Sequence, residues 1–236
     1  MAAKSRIRPV DALRAIRALI RNPDDTARVF DVIDALSGNH GERLFERFRR
    51  SPGGARLLAK RPDLLAVLSD RARLASLPAG SLGRTYADFM GREQISADGL
   101  VEASMEGGRR DPDLPPERAW LGARLRDMHD LWHVVTGYNR DLVGEAGLLA
   151  FTYAQTRNRG IGFIVMVAWL RARGDFRWAR STIREGYRRG RAAAWLPEQE
   201  WEELLALPLA QVRARLGLGE PPVYHQVRSE AAAALA

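Results

Sequence analysis

The sequence predicts an all-α fold, a single irregular multi-helix domain over residues 1–236. Two observations carry this. Apolar residues recur at three- and four-residue spacing along the chain, most clearly through Leu121, Leu125, Met128, Trp132 and Val135. Alternation with period two is never sustained, so strands lack support. A chain of 236 residues, 46% of them hydrophobic, can also bury a sizeable core.

The elements follow in order. Val10, Leu13, Ile16 and Ile20 mark a first amphipathic helix, started by Pro9 and Asp11. A transit peptide shares this composition, but Pro9 and Asp11 make a helix start that fits a first helix of the folded domain. Asn22, Pro23, Asp24 and Asp25 cap a second helix carrying Val29, Phe30, Val32, Ile33 and Leu36. Its end at 37–41 puts His40 in a turn, in a surface or capping role. Leu44, Phe45 and Phe48 define a third helix, broken by Pro52, Gly53 and Gly54. Short helices then carry Leu57 and Leu58, followed by Leu64, Leu65, Val67 and Leu68. Helical spacing resumes at Tyr86, Phe89 and Met90. Residues 104–116 form the one long loop, a connector or a cover for a site.

Pro115, Pro116 and Glu117 open a central helix that runs to Gly137, its expected cap. Gly122 and Gly137 leave room on or near its histidine face for a close neighbour or a ligand. Asn139 or Asp141 starts the next helix. The apolar run 163–170 is about half the roughly 20 residues of a spanning helix. It reads as a buried core helix, or as a wall for a long apolar ligand or a segment touching lipid. Residues 176–195 form an arginine-rich helix, either solvated or facing an anionic membrane. Two short helices with Trp201, Leu204 and Leu205, then Val212 and Leu216, precede Pro221 and Pro222. His225 reads as structural or idle.

Cysteine is absent, which excludes disulfides, thiolate metal sites and thiol catalysis. Any metal must be held by histidine and carboxylate. The formal charge is +8, and Lys4 and Lys60 are the only lysines among the basic residues. Such a surface attracts phosphate, whether in nucleic acid or in anionic lipid headgroups. The signatures of nucleic-acid modules are missing, so no nucleic-acid partner is expected.

Of the four histidines, His129 and His133 stand four residues apart on the central helix. Residues i and i+4 share a helix face, so two imidazoles are presented together, as in a two-histidine metal chelate. Asp130 is a third candidate ligand. Glu145 is a fourth, because a short loop at Gly137 folds the next helix back towards His133. A satisfied histidine pair at the margin of the core is the competing reading.

Written as His129-Asp130-x-x-His133-x(11)-Glu145, the motif resembles the hallmark of the coenzyme Q biosynthesis protein 4 family. The stretch 81–90, with Tyr86, Phe89 and Met90, resembles a family segment. So does the end of the chain through Trp201, Leu209, Val212, Arg213 and Leu216. The likeness spans about 10–223 as a helical core, leaving 224–236 as a tail. Where the family often has arginine–tyrosine–arginine, this chain has Arg124, Leu125 and Arg126, as suits a bacterial-type member.

The resemblance implies a helical ubiquinone-biosynthesis enzyme with a metal site between two consecutive helices and an apolar lipid groove. It implies Zn2+, with iron or another divalent metal as the alternative, held by His129, Asp130, His133 and Glu145. Asp130 points about 100° away from His129 on a regular helix, so it either ligates or orients an imidazole. The implied reaction is metal-dependent oxidative decarboxylation of a polyprenylated 4-hydroxybenzoate, with hydroxylation at ring carbon 1. Arg126 is a candidate partner of the substrate carboxylate or a member of a local ion pair. Residues 163–170 are the candidate groove wall. Implied partners are a prenylated hydroxybenzoate or quinone-type lipid, an anionic membrane surface, other quinone-biosynthesis enzymes and a second copy in a homo-oligomer. The implied location is cytoplasmic, peripheral on the inner-membrane face. Two alternatives stand beside this. One is a non-catalytic lipid-binding scaffold with a structural metal. The other is a metal-dependent phosphohydrolase, which would need His40 as a further ligand.

Overall fold

The computed structural model describes residues 7–23, 25–95, 105–106 and 114–228. Helices account for the regular structure. In chain order they are α1 (Pro9–Arg21), α2 (Thr26–Ser37), α3 (His40–Arg50), α4 (Pro52–Lys60), α5 (Leu64–Ser69), α6 (Arg71–Ser76) and α7 (Leu82–Arg92). There follow α8 (Pro116–Asp127), α9 (His129–Thr136), α10 (Leu142–Thr156), α11 (Arg159–Arg171), α12 (Ala179–Ala192), α13 (Trp201–Leu204) and α14 (Leu209–Arg215). Among the described residues there is no strand, only an isolated bridge between Ser81 and Pro208. The expected all-α class is what the chain adopts. The expected loop at 104–116 falls mostly outside the described residues.

The core is centred on α9. From Asp130 to Thr136 every residue is buried, so this short helix is enclosed on all sides. Met128, Leu131, Trp132 and Val135 pack with Tyr86, Phe89 and Met90 of α7, Leu148 and Phe151 of α10, and Trp201, Leu204, Val212 and Leu216 from the C-terminal helices. Arg213 closes the end of α9 by donating to the carbonyls of Val134 and Val135, both at 2.9 Å. A cation there also suits the negative end of the helix dipole. Arg124 ties α8 to the same C-terminal region through a buried two-pronged pair with Glu202, at 2.6 and 2.9 Å.

The pair α10 and α12 is set by glycine. A side chain on Gly186 would run into the backbone of Gly147, and one on Gly190 would meet the Phe151 carbonyl at 2.6 Å. The helices therefore meet backbone to backbone, which no other residue permits. On the far side, α1 and α2 cover α11 through Ala15, Ile16, Val32 and Ile164.

The structure corrects four expectations. The central helix is two helices, α8 and α9, divided at Met128, whose ψ is −4°. No proline or glycine marks that break. In α1 the buried face is Ala12, Ala15 and Ile16, while Val10 and Leu13 are exposed. In α11 only Gly160, Ile161 and Ile164 are buried, and Met166 and Leu170 face outward. His40 is buried as the first residue of α3 instead of lying on the surface.

Candidate metal centre

The hairpin of α9 and α10 builds the site. Gly137 ends α9 in the left-handed region, φ +80°, and its N–H donates to the His133 carbonyl. What approaches it closely is Pro221 of the C-terminal segment, and Gly122 has open space around it. Asp141 is the cap of α10: its Oδ1 accepts from the amides of Val143 and Gly144, each at 3.1 Å. The same oxygen accepts the Val227 amide at 3.1 Å, and Oδ2 accepts the Tyr224 hydroxyl at 2.8 Å. Tyr224 in turn accepts the Asn139 amide at 2.8 Å. The C-terminal segment thus straps the loop that joins the two helices.

Within this frame, His133 is fully enclosed. Its Nδ1 lies 2.8 Å from the Tyr138 carbonyl, which only accepts, so Nδ1 carries the proton. Nε2 is then a bare acceptor, buried and without a hydrogen-bond partner among the described residues. It faces Oε1 of Glu145 at 3.3 Å. The His129 ring stands edge-on to His133, with centroids 4.9 Å apart. Asp130 Oδ1 lies 3.1 Å from His129 Nδ1. One donor atom from each of His129, Asp130 and His133 falls within a 4.8 Å group able to hold a metal ion. An imidazole whose second nitrogen is committed to a carbonyl or carboxylate is the usual form of a metal-binding histidine. An orphaned acceptor nitrogen beside carboxylates is what a divalent cation would complete, so the residues fit such an ion.

The electrostatics agree. Burial opposes the charged form of His133, but Glu145 and Asp130 outweigh it and raise the imidazole above its ordinary value. Burial likewise opposes ionisation of Asp130 and Glu145, yet the histidines hold both carboxylates below their usual range. The cluster therefore favours positive charge, which a divalent cation would supply.

Of the sequence candidates, His129, Asp130 and His133 form the metal-capable group, and Glu145 lies outside that group but against His133, with Oε1 3.3 Å from Nε2. Arg126 is held by Asp127, with Nη2 2.8 Å from Oδ1. His40 is remote in character, its charged neighbours being Arg43 and Arg159. Three participants escaped the sequence reading. Phe89 stacks on His133 with centroids 5.8 Å apart. Arg140 reaches Glu145 Oε1 at 3.9 Å. The Tyr138 carbonyl sets the His133 tautomer. Phe89 sits in a stretch already singled out, but a backbone carbonyl leaves no trace in sequence.

Fold and site together define an all-helical protein with a His–Asp–His cluster able to hold a metal ion. The profile of the family "Coenzyme Q (ubiquinone) biosynthesis protein Coq4" matches residues 9–222. The chain belongs to the Coq4 family. It is 28% identical over 192 residues to the mitochondrial ubiquinone biosynthesis protein COQ4 of Yarrowia lipolytica, covering 80% of this chain and 71% of that one. It is 32% identical over 187 residues to the mitochondrial coq4 protein of Talaromyces stipitatus, covering 79% of this chain but 63% of the relative. A crystal structure from Nostoc punctiforme, of a protein assigned to ubiquinone biosynthesis, superposes with a TM-score of 0.66 at 26% identity. It covers 91% of this chain and all of that one.

Proposed function

We propose that this protein is a metal-dependent enzyme of ubiquinone biosynthesis that removes the ring carboxyl of a polyprenylated 4-hydroxybenzoate and leaves a hydroxyl at ring carbon 1. The observation that carries the reading is the bare, buried Nε2 of His133 opposite Glu145. His129, His133 and Glu145 would hold the metal. Asp130 commits one oxygen to His129, which supports an orienting part for it and an open coordination position, the pattern of catalytic sites. A bound divalent cation supplies Lewis acidity towards the substrate's phenolate or carboxylate. Replacing the carboxyl by a hydroxyl breaks the ring–carboxyl bond, releases carbon dioxide and removes two electrons; with water supplying the hydroxyl oxygen, dioxygen takes up the two electrons and two protons and leaves as hydrogen peroxide. Zinc would supply Lewis acidity alone, whereas iron would also supply redox chemistry. Phe89 and the enclosed α9 shield His133 from water on its inner side.

The isoprenoid tail requires an apolar wall, and residues 163–170 of α11 are the candidate through the exposed Met166 and Leu170, since Phe163 and Val167 pack against the α1–α2 cluster. Met166 and Leu170 are exposed one turn apart, and the exposed Arg171, Arg173 and Arg177 follow them in the chain. That combination suits peripheral contact with an anionic membrane. Among the described residues no helix is long and apolar enough to cross a membrane. The reading puts the protein at the cytoplasmic side of an inner membrane, acting on a prenylated lipid in company with other quinone-biosynthesis enzymes or a second copy of itself.

A second reading, a scaffold with a structural metal, is favoured by the presence of four donor residues, enough to close a tetrahedral site. The phosphohydrolase reading loses its support with His40 buried elsewhere and the family match in hand. Incubating metal-loaded protein with prenylated 4-hydroxybenzoate and dioxygen separates the first two. Carbon dioxide release that vanishes in His133→Ala supports the enzyme. Metal retention with no release supports the scaffold and overturns the enzymatic proposal.

A further inference from the structure

The metal centre is closed on one side and open on the other. His133 is 0% and Asp130 9% exposed at the side chain, whereas His129, Glu145 and Arg140 are 29, 32 and 32% exposed. A ligand arriving from solvent therefore meets the face formed by His129, Glu145 and Arg140. Arg140 is unlike the arginines that precede the motif. Arg124 is consumed by Glu202, and Arg126 is held by Asp127. Arg140 makes a single long approach to Glu145, Nε to Oε1 at 3.9 Å, and hydrogen-bonds to no described residue.

Charge balance points the same way. A divalent cation beside the carboxylates of Asp130 and Glu145 is neutralised. Arg140 then leaves the mouth of the site with one net positive charge. A planar guanidinium with its terminal nitrogens unengaged is matched by a carboxylate, which it can grip with two parallel hydrogen bonds. A neutral ring substituent gains little there.

We propose that Arg140 receives the carboxylate of an aromatic acid at the open side of the metal centre. Arg140 is thereby a substrate-binding residue that selects acids over their neutral analogues. The assignment rests on the enzymatic reading above, and it moves the carboxylate-binding part from Arg126 to the loop between α9 and α10. It also sets an order of recognition. The acid is held beside Glu145 by its carboxylate while its phenol end lies free to turn towards the histidines.

The test uses the full chain loaded with zinc and two probes, 3-geranyl-4-hydroxybenzoate and the corresponding benzyl alcohol. Binding is followed by calorimetry, and metal content by elemental analysis. A charge-assisted pair of this kind is worth about 1.5–3 kcal/mol, or roughly 10- to 100-fold in affinity. The wild type should bind the acid tighter than the alcohol by about that factor. Arg140→Met should lose this preference, keep its zinc and bind the alcohol as before, and Arg140→Lys should recover part of it. A purely structural part for Arg140, holding Glu145, would instead lower zinc content or weaken both probes equally, and either result overturns the proposal. So does an acid preference that survives Arg140→Met. Zinc-loaded wild type that does not distinguish the probes overturns this assignment and leaves the metal centre standing, whereas wild type that takes up no metal overturns both.

Discussion

The Tyr224 hydroxyl is a small group with a large structural duty, so Tyr224→Phe is an exacting perturbation. It removes the donor to Asp141 Oδ2 at 2.8 Å and the acceptor of the Asn139 amide at 2.8 Å. Asp141 is 3% exposed, so the oxygen left behind cannot recruit bulk water freely. A hydrogen bond to a charged group is worth about 1.5–3 kcal/mol, and an orphaned buried partner adds a desolvation cost. Partial exposure of Tyr224 itself moderates this, and the expected loss is about 2 kcal/mol. Equilibrium unfolding in urea should show a lower midpoint with an unchanged slope. Truncation after Pro222 should cost more, because it also removes the Val227 carbonyl that accepts from Leu142 at 2.8 Å and the Val227 amide that donates to Asp141. A Tyr224→Phe protein within about 0.5 kcal/mol of wild type, on the scale of an unremarkable surface change, would refute the claim that this strap anchors the site loop.

Other outcomes follow from the same geometry. Gly186→Ala drives a methyl into the backbone of Gly147 and should destabilise by about 1–3 kcal/mol, read from thermal melts. Arg124→Leu strands Glu202 and should cost about 3 kcal/mol, with the double variant Arg124→Leu/Glu202→Leu regaining much of it in a double-mutant cycle. His40 titrates in the folded state at about 4, depressed by burial and then by Arg43 and Arg159. The unfolded chain takes up that proton first, at about 6.5, so His40 subtracts stability as pH falls from about 6.5 to 4. Allowing for partial hydration, the loss approaches about 2 kcal/mol, and His40→Gln should flatten that part of the stability–pH curve. Metal affinity should fall as pH falls, because His133 holds its proton above its ordinary value and must release it to bind. Competition with a chromophoric chelator measures this.

The helical class and the meeting of Glu145 with His133 were legible because both rest on local rules, apolar spacing and a glycine-ended helix followed by a capped one. The break at Met128 was not. Leu125, Arg126 and Asp127 favour or tolerate helix, and only tertiary packing bends the chain there. The exposed Val10 and Leu13 misled for a related reason, since small residues, Ala12 and Ala15, let α1 approach α2 more closely than the bulky face would. Burial of His40 came from contacts far along the chain, near Arg159, which spacing does not encode. The close pairing of α10 with α12 was written in Gly147, Gly186 and Gly190, yet glycines inside helices read equally well as weak points.

The break at Met128 and the clamps on the hairpin explain one another. Asp130 stands about 100° from His129 on α9 with or without the break, so what the break changes is the surroundings of Asp130. Starting α9 afresh at His129 puts Asp130 in its first turn, where a carboxylate is favoured by the helix dipole and reaches the neighbouring imidazole. A helix of eight residues has little stability of its own, so the hairpin it forms with α10 must be held by distant segments. Arg213 holds the last carbonyls of α9, and Tyr224 with Val227 holds the cap of α10. His129, Asp130, His133 and Glu145 are close in sequence, but the elements that carry them are held from beyond Leu209. Metal binding should therefore be coupled to the integrity of the C-terminal segment. Arg213→Met, which touches none of the donors, should lower zinc affinity as well as stability, and an unchanged affinity in a folded Arg213→Met protein would show that α9 holds its geometry without that clamp.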